Sequence, residues 1–497
     1  MSASVNFKRL KPWWVFTIAY ICFMFIPRLV TQGLFGDGLL YASMARNLSI
    51  GVGEYWSPYF SSSYWLPYVD GTRYIENPPG MLWIQSMFFQ IVGDHWWTEK
   101  LYSFFITAIS CLLIVKVWNR IYEQDSVAKY FAFLPLLFWY TMPTIFWGAP
   151  NNLMDNSIVI PCLASCYFLI KAMQVERYIT PSILATIFLF IAFMIKGPVG
   201  LYPIAIPFLY FLIYKKKQLT IGILHSILMT AAFGICLYSL LFFEPAAAYF
   251  QDYWDNRLGA VLGGGREDAS LQGFAKLKII KLVATELIVP ILVAVIFIAV
   301  LKWKKQNLYW TQNQKRRTLF IFLLALAASL PIMLSSAQNK IYIIPGMSIY
   351  ALAIASLIYP LLKNWYNTST GNSIFNRRAN TFFIAVLIGV LLFSWTEFGK
   401  FGREKDLLGD LEKIKSTIPI GSKVYADEEM INNFNAQNYL QRFHRIELIP
   451  QNQQKIFNFH LSKSDTPING YQRTDLETST FKVFQKTRNQ SHDLYSL

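Results

Sequence analysis

Long apolar stretches, separated by shorter polar or basic segments, recur along the chain from Trp13 to Trp395. A helix that crosses a bilayer needs about 20 predominantly apolar residues, and by this criterion we predict about eleven spans, or up to about thirteen if short connectors divide some stretches. The predicted spans cover residues 13–30, 101–118, 130–140, 153–170, 181–195, 199–214, 221–243, 282–301, 319–334, 341–362 and 381–395. The pattern indicates an all-α polytopic membrane protein.

Three long segments lie outside these stretches. Residues 31–79 and 244–281 connect predicted spans, and residues 399–497 form a polar tail after a membrane domain of residues 1–398. Gly421 begins a turn that leads into a strand, so we expect a small α/β fold in the tail. We also predict a helix over residues 80–91 that descends toward the membrane. Residues 42–48, with Arg46 as the polar member, are interpreted as a helix lying at the membrane interface.

Composition supports a membrane protein, since 54% of the residues are hydrophobic and only 15% are charged, against about 45–50% and about 25% in soluble domains. The net charge of +16 would suggest nucleic-acid binding in a soluble protein. Here much of the basic excess lies in short loops between spans, which the positive-inside rule assigns to the cytoplasm. We therefore predict a cytoplasmic N-terminus, an extracytoplasmic tail, and no nucleic-acid partner. The first apolar stretch is too long for a cleaved signal and is interpreted as a retained span.

Five ionisable residues lie at the predicted outer ends of spans or in the outer segments: Asp37, Glu76, Asp155, Lys196 and Lys340. A single carboxylate at such a place is usually only hydrated, and a single lysine usually extends to lipid headgroups. The predicted topology, however, puts all five on one face of the membrane. Lys196 also occupies a tight Lys-Gly-Pro turn between apolar helices, where its freedom is small. Together these residues form a candidate site.

Aromatic residues crowd the segment between Asp37 and Glu76, namely Tyr55, Trp56, Tyr59, Tyr64, Trp65, Tyr68 and Tyr74. They could form an interfacial aromatic belt. They could equally form a platform for a sugar, because aromatic faces pack against the C–H face of a pyranose while polar groups bind its hydroxyls. Composition does not separate these two interpretations.

Glycosyl transfer from a lipid-phosphate sugar is the chemistry that fits this set. A carboxylate near the surface can act as general base on an acceptor hydroxyl, and lysines can hold the departing phosphate. The three glycines at 263–265 do not follow a strand and open a helix, so they are not interpreted as a nucleotide-binding loop. The alternative is a transporter or flippase for lipid-linked glycans, which should carry ionisable residues near the bilayer midplane and repeated halves. A membrane anchor for a sensing tail would need far fewer spans.

Two segments near the first outer loop carry a family resemblance. Asp37 with Tyr41 resembles the Asp-Glu-x-x-Tyr motif of bacterial GT-C membrane glycosyltransferases, in particular the 4-amino-4-deoxy-L-arabinose transferase-like proteins, kin to the protein O-mannosyltransferases. The segment from Tyr74 through Glu76 to Pro79 is similar to their aromatic-Glu-Lys-Pro-Pro segment. The resemblance covers the chain to about residue 360 and implies that Asp37 is the catalytic base.

Three later residues extend the resemblance. Asp155 lies where the family has an aspartate at the head of a span, and Lys196 begins a turn similar to the family's Lys-Gly-Pro turn. Lys340, with Tyr342, resembles the late Lys-x-x-Tyr-x-x-Pro segment with shifted spacing. The resemblance implies an inverting transferase of the bacterial inner membrane and cell envelope. It would use a polyprenyl-phosphate sugar donor and a lipid, glycan or protein acceptor.

Several positions depart from the family pattern. Gly38 replaces a second acidic residue, Leu40 stands where the arabinose transferases carry an arginine, and Asn77 replaces a lysine. These changes argue against lipid A arabinosylation specifically and leave the broader class, including other lipid or glycan modification. The arabinose transferases bind a metal with the glutamate that corresponds to Glu76 and with a histidine of the second outer loop. In this chain, residues 244–281 contain no histidine. We therefore assign no metal ligands, although a divalent metal stays possible; Arg257 and Arg266 of that loop are candidate phosphate contacts.

Overall fold

The computed structural model describes residues 9–62, 74–176, 178–259, 277–304, 309–335, 338–368, 373–451, 457–466 and 468–487. Its α-helices are α1 Lys11–Leu29, α2 Gly36–Ser49, α3 Gly80–Val92, α4 Thr98–Ile121, α5 Phe133–Tyr140, α6 Pro143–Gly148, α7 Met154–Ser157, α8 Val159–Val175, α9 Ile179–Lys196, α10 Ala205–Tyr214, α11 Leu219–Leu240, α12 Glu244–Tyr253, α13 Lys278–Trp303, α14 Gln312–Ser329, α15 Ile344–Thr368, α16 Ser373–Glu397, α17 Lys405–Ile414, α18 Glu428–Ile431 and α19 Phe434–His444. The strands are β1 Gly53–Glu54, β2 Ser57–Pro58, β3 Lys423–Ala426, β4 Glu447–Pro450, β5 Phe459–Ser462, β6 Tyr471–Arg473 and β7 Lys482–Lys486.

The chain divides into two compact units, called unit one and unit two below. Unit one comprises Met1–Val30, Asn77–Met81 and Lys100–Phe398, and unit two comprises Thr31–Glu76, Leu82–Glu99 and Gly399–Leu497. Residues 31–76 of the first predicted outer segment thus fall in the same unit as the tail, although the two are far apart in sequence.

Unit one consists of apolar helices. Over the described part of the chain, nine helical segments are long and apolar enough to cross a membrane, or ten if one bent pair is counted as a span. The predicted polytopic, all-α membrane architecture is therefore confirmed. Within the unit, α1 packs along α16, α8 along α9, α10 along α11 and α14 along α15.

The segment Ile179–Tyr214 counts once among the nine, but the chain reverses its direction within this segment. An ideal Cβ placed on Gly200 would lie 2.7 Å from the Cβ of Ala192. Eight residues of straight α-helix would separate these positions by about 12 Å along the axis, so the chain reverses between them. The predicted outer turn at Lys196 is the point of this reversal.

The predicted span 130–140 differs from the structure. It belongs to a bent pair, Ala128–Tyr140 and Pro143–Asn151, whose arms meet at 79°. Each arm is too short to cross a hydrocarbon layer of about 30 Å, which needs about 20 helical residues. The second arm begins with helix α6 at Pro143, whose missing N–H and fixed φ suit the first helical position.

Unit two contains a five-stranded sheet in the order β4-β3-β5-β7-β6. The strands β4, β3 and β5 are parallel, whereas β7 runs antiparallel to both β5 and β6. The predicted turn at Gly421, which has φ +82°, leads into β3 as expected. The expected α/β fold of the tail is confirmed by this sheet and by α17 and α19.

The helix interpreted from residues 42–48 is present but longer, because α2 starts at Gly36 and places Asp37 in its first turn. The interpretation as an interfacial helix is wrong, because Arg46, which should face water there, is only 1% exposed. The guanidinium donates to the Gln441 carbonyl at 3.0 Å and faces Asp94 inside unit two. Arg46 is thus satisfied by protein rather than by water at a membrane surface. The helix predicted over residues 80–91 is observed as α3.

Candidate active site

A buried ion pair joins two of the predicted site residues in unit one. The ammonium group of Lys196 donates to Oδ2 of Asp155, and the two side chains are 6% and 2% exposed. Asp155 Oδ1 is buried and, among the described residues, has no hydrogen-bond partner. Removing either charge alone would leave the other uncompensated in a low-dielectric surrounding, which is strongly unfavourable. The pair is therefore interdependent, and it offers one acceptor atom to a further group.

Local backbone geometry brings Lys196 and Asp155 together. Lys196 ends α9, and Gly197 follows with φ +69°, a conformation that only glycine adopts readily. A Cβ on Gly197 would also lie 2.6 Å from the Tyr253 hydroxyl. On the other side, Asn152 adopts a left-handed conformation with φ 52°, and α7 with Asp155 begins two residues later. The backbone conformations of Gly197 and Asn152 thus place Lys196 and Asp155 next to each other.

Aromatic rings face both predicted lysines. Lys196 Nζ lies 4.9 Å from the ring centroid of Tyr342, and Lys340 Nζ lies 4.9 Å from that of Trp147. An ammonium over an aromatic face is attracted by the ring quadrupole. The structure therefore groups Asp155, Lys196 and Tyr342 directly, while exposed Lys340 lies beside a tryptophan of α6.

The second outer segment adds residues that sequence reasoning missed. In α12, the Tyr249 hydroxyl donates to the Asn77 carbonyl at 2.6 Å. One turn later, burial raises the pKa of Tyr253 to about 12, an effect that Arg257 opposes and Tyr342 reinforces. The predicted residue Arg257 thus lies within electrostatic range of Tyr253. The i, i+4 spacing of the two tyrosines on one helix face was the available signal.

A further missed residue is Glu286, a 7%-exposed carboxylate inside the apolar helix α13. It accepts a hydrogen bond from the Thr144 amide at 2.8 Å and another from the Thr144 hydroxyl. The first amides of a helix have no partner within the helix, so Glu286 caps α6 from outside. A carboxylate in a membrane span is usually functional or paired, which was the signal in the sequence.

The remaining predicted site residues lie in unit two. Asp37 is half-buried in the first turn of α2, where the helix dipole favours a negative charge. The rings of Tyr41 and Tyr74 meet edge to face at 6.4 Å and are only 7% and 2% exposed. Glu76 is half-buried two residues after Tyr74. The two buried tyrosines thus pack on each other within unit two.

The aromatic segment before Tyr74 is partly occupied by internal contacts. Trp56 packs edge to face on Trp83 at 4.8 Å, and the Tyr59 hydroxyl donates to Glu447 at 2.9 Å. Tyr64, Trp65 and Tyr68 lie outside the described residues, as do Arg266 and the three glycines at 263–265. Within the described ranges, no group of three or more His, Cys, Asp or Glu side chains could hold a metal ion.

Comparison with known proteins agrees with this architecture. Residues 76–242 match a family model described as dolichyl-phosphate-mannose-protein mannosyltransferase. No curated protein sequence matches the chain significantly.

Among solved structures, ArnT from Cupriavidus metallidurans bound to undecaprenyl phosphate is similar with a TM-score of 0.62 at 14% identity, covering 97% of this chain and 99% of that chain. Its apo form gives a TM-score of 0.56 at 13% identity, covering 95% and 97%. The oligosaccharyltransferase of Archaeoglobus fulgidus in complex with Zn and sulfate gives 0.50 at 9% identity, covering 90% and 68%. The resemblance inferred from the sequence is confirmed: the fold of this multi-pass membrane protein and the family model that it matches are those of GT-C membrane glycosyltransferases.

Proposed function

We propose that the protein transfers a sugar from a polyprenyl-phosphate donor to a hydroxyl-bearing lipid, glycan or protein acceptor. The reaction would take place at the extracytoplasmic face of the bacterial inner membrane, with the N-terminus cytoplasmic and the tail extracytoplasmic. The observation that carries this proposal is the buried Lys196–Asp155 pair beside Tyr342. The donor class is supported by the similar fold of ArnT with its bound undecaprenyl phosphate.

Lys196 binds the lipid phosphate in this proposal. An ammonium group has three N–H donors, and the bond to Asp155 uses one of them. The others can donate to phosphate oxygens, with a strength that charge assistance roughly doubles relative to neutral hydrogen bonds. Asp155 keeps the ammonium from extending toward headgroups, and its Oδ1 can accept a hydrogen bond from a substrate hydroxyl. Lys340 and Arg257 add positive charge for the departing phosphate.

Asp37 acts as the general base. It takes the proton of the acceptor hydroxyl while that oxygen forms a bond to the anomeric carbon of the donor sugar. The bond between the anomeric carbon and the phosphate oxygen breaks, and its electron pair leaves with the polyprenyl phosphate. A single displacement of this kind inverts the anomeric centre. Glu76, Tyr41 and Tyr74 hold the segments around Asp37.

The phosphate assignment is tested by native mass spectrometry of the purified protein with undecaprenyl phosphate. Lys196→Gln should weaken binding by about tenfold or more, because one charge-assisted contact contributes about 1.5–3 kcal/mol. Lys215→Gln is the matched control, since Lys215 is 30% exposed and pairs with Glu176. Equal binding by the two variants would contradict the assignment.

Transfer itself is tested by mass spectrometry of lipid-linked and surface glycans from cells with the gene, without it, and with Asp37→Asn, which should abolish transfer at normal protein abundance.

A further inference from the structure

The start of α2 belongs to the hydrophobic core of the tail. Leu34 and Leu39 are 1% and 0% exposed, and they lie in one buried cluster whose other members come from residues 407–483. Those members include Leu411 and Leu440. Asp37, between the two leucines in sequence, is half-buried. The apolar side chains on both sides of the proposed base are therefore tail core residues.

Hydrogen bonds fix the backbone immediately before α2 to the same tail. The Tyr439 hydroxyl accepts a bond from the Leu34 amide at 3.1 Å and donates to the Leu34 carbonyl at 3.0 Å. Two residues earlier, the Gln32 amide donates to the Lys400 carbonyl at 2.8 Å, and the Gly402 amide donates to the Gln32 carbonyl at 2.9 Å. These bonds determine the position from which the first turn of α2 starts.

A close approach at Gly36 adds a steric constraint. A Cβ on this glycine would lie 2.4 Å from Cε1 and 2.8 Å from Cδ1 of Phe434, the first residue of α19. The aromatic ring thus sits directly on the backbone that precedes Asp37. Asn433 fixes the start of α19 in turn, because its side chain accepts a bond from the Ala436 amide at 3.0 Å.

The C-terminal end of α2 is held by the same helix of the tail. Arg46 donates to the Gln441 carbonyl, and Asp94, which lies 3.5 Å from Arg46, also binds Arg442 of α19 at 2.8 Å. Helix α2 is therefore fixed on α19 at both ends, by polar contacts as well as by packing. Surface attachment of a soluble tail would not require this.

We propose that the tail is a positioning element for the catalytic carboxylate, and that Tyr439 and Phe434 set the location of Asp37. The inference rests on the proposed function, in which Asp37 is the base. Catalytic groups tolerate little displacement, since a misplacement of about 1 Å can cost about 100-fold in rate. Loosening the attachment should therefore reduce turnover while leaving donor binding by Lys196 unchanged.

The test compares Tyr439→Phe with Tyr471→Phe. Both remove a hydroxyl that donates to a backbone carbonyl of unit two, but Tyr471 lies in β6, at the sheet edge opposite β4, and donates to Phe457. Amide hydrogen exchange is followed over residues 34–41 and over β3 and β5. Turnover is measured by mass spectrometry as release of undecaprenyl phosphate from the lipid-linked sugars extracted from the native membranes.

Tyr439→Phe removes both hydrogen bonds between the hydroxyl and Leu34 and should speed exchange over residues 34–41 by about tenfold or more. It should lower kcat about tenfold at an unchanged KM for the donor lipid, with β3 and β5 unaffected. Tyr471→Phe should leave all of these values as in the wild type. Wild-type exchange over residues 34–41, or faster exchange with wild-type kcat, would overturn the proposal.

If Tyr439→Phe loosens the whole tail, exchange will also be faster in β3 and β5. A second pair of variants then tests whether the tail positions Asp37. Gly36→Ala should lower kcat about tenfold, and adding Phe434→Leu should restore it to within about threefold by removing the overlap. Failure to restore kcat would overturn positioning by Phe434. Asp37→Asn separates the two proposals: wild-type transfer by that variant refutes the base, whereas wild-type exchange in Tyr439→Phe refutes the positioning.

Discussion

The two units hold the two proposed functional carboxylates in different surroundings. In unit one, Asp155 is almost fully buried and pairs with Lys196 at the end of α9. In unit two, Asp37 is half-buried at the start of a helix, and the tail binds the backbone that precedes this helix. A group that binds an anion benefits from a low dielectric, whereas a base that exchanges protons with an acceptor benefits from partial exposure.

The largest effect is expected when the ion pair between Asp155 and Lys196 in unit one is broken. Asp155→Ala should lower the free energy of unfolding by about 3–5 kcal/mol, because it leaves the buried ammonium of Lys196 without a partner. The double variant Asp155→Leu/Lys196→Met should recover most of this loss, since two apolar side chains need no charge partner. Thermal unfolding in detergent measures both. Transfer should stay absent in the double variant, which separates stability from function; a double variant less stable than either single one would contradict the interpretation.

An intermediate effect on stability is expected from Asp94, a carboxylate of unit two that lies among three arginines. Burial tends to raise the pKa of Asp94, but Arg442, Arg46 and Arg445 outweigh it and hold the pKa below its usual value. A depressed folded-state pKa adds stability above the unfolded value of about 3.9, and this stability is lost as the pH falls through the folded pKa. Asp94→Asn should cost about 1.5–3 kcal/mol at pH 7 through its charged hydrogen bonds.

Unfolding of unit two as a function of pH checks this expectation. The wild type should lose stability below about pH 4, and Asp94→Asn should lose less over the same interval. Glu412→Gln is a suitable control, because Glu412 is 52% exposed and pairs with Lys415, which is itself 46% exposed. An acid transition that is identical in the wild type and Asp94→Asn would show that other carboxylates govern the low-pH behaviour.

The smallest effect concerns the bond that ties α12 to the segment after Glu76. Tyr249→Phe removes the donor to the Asn77 carbonyl and should cost about 1 kcal/mol. Tyr238→Phe, at a 62% exposed site of α11, should cost less than about 0.5 kcal/mol. Unfolding midpoints of the two variants give the comparison, and equal costs would mean that the bond contributes nothing.

The sequence predicted those features that depend on local pattern. Apolar length predicted the spans, and the Lys-Gly-Pro order predicted the turn at Gly197. The pairing of Lys196 with Asp155 was not predictable, because it joins residues 41 positions apart through the left-handed conformation of Asn152. The grouping of Asp37 with the tail was also missed. Leu34 and Leu39 have partners about 400 residues away, and no spacing in the sequence indicates contacts of that range.

The separation of 405 positions between Leu34 and Tyr439 sets an order of events during synthesis. Chains grow at about 5–20 residues per second, so the start of α2 waits roughly 20–80 s for its partner. During this time Leu34 and Leu39 have no tail core to enter. A ribosome that stops early thus releases a chain whose proposed catalytic helix is not anchored, and turnover begins only once the last folding segment has been translated.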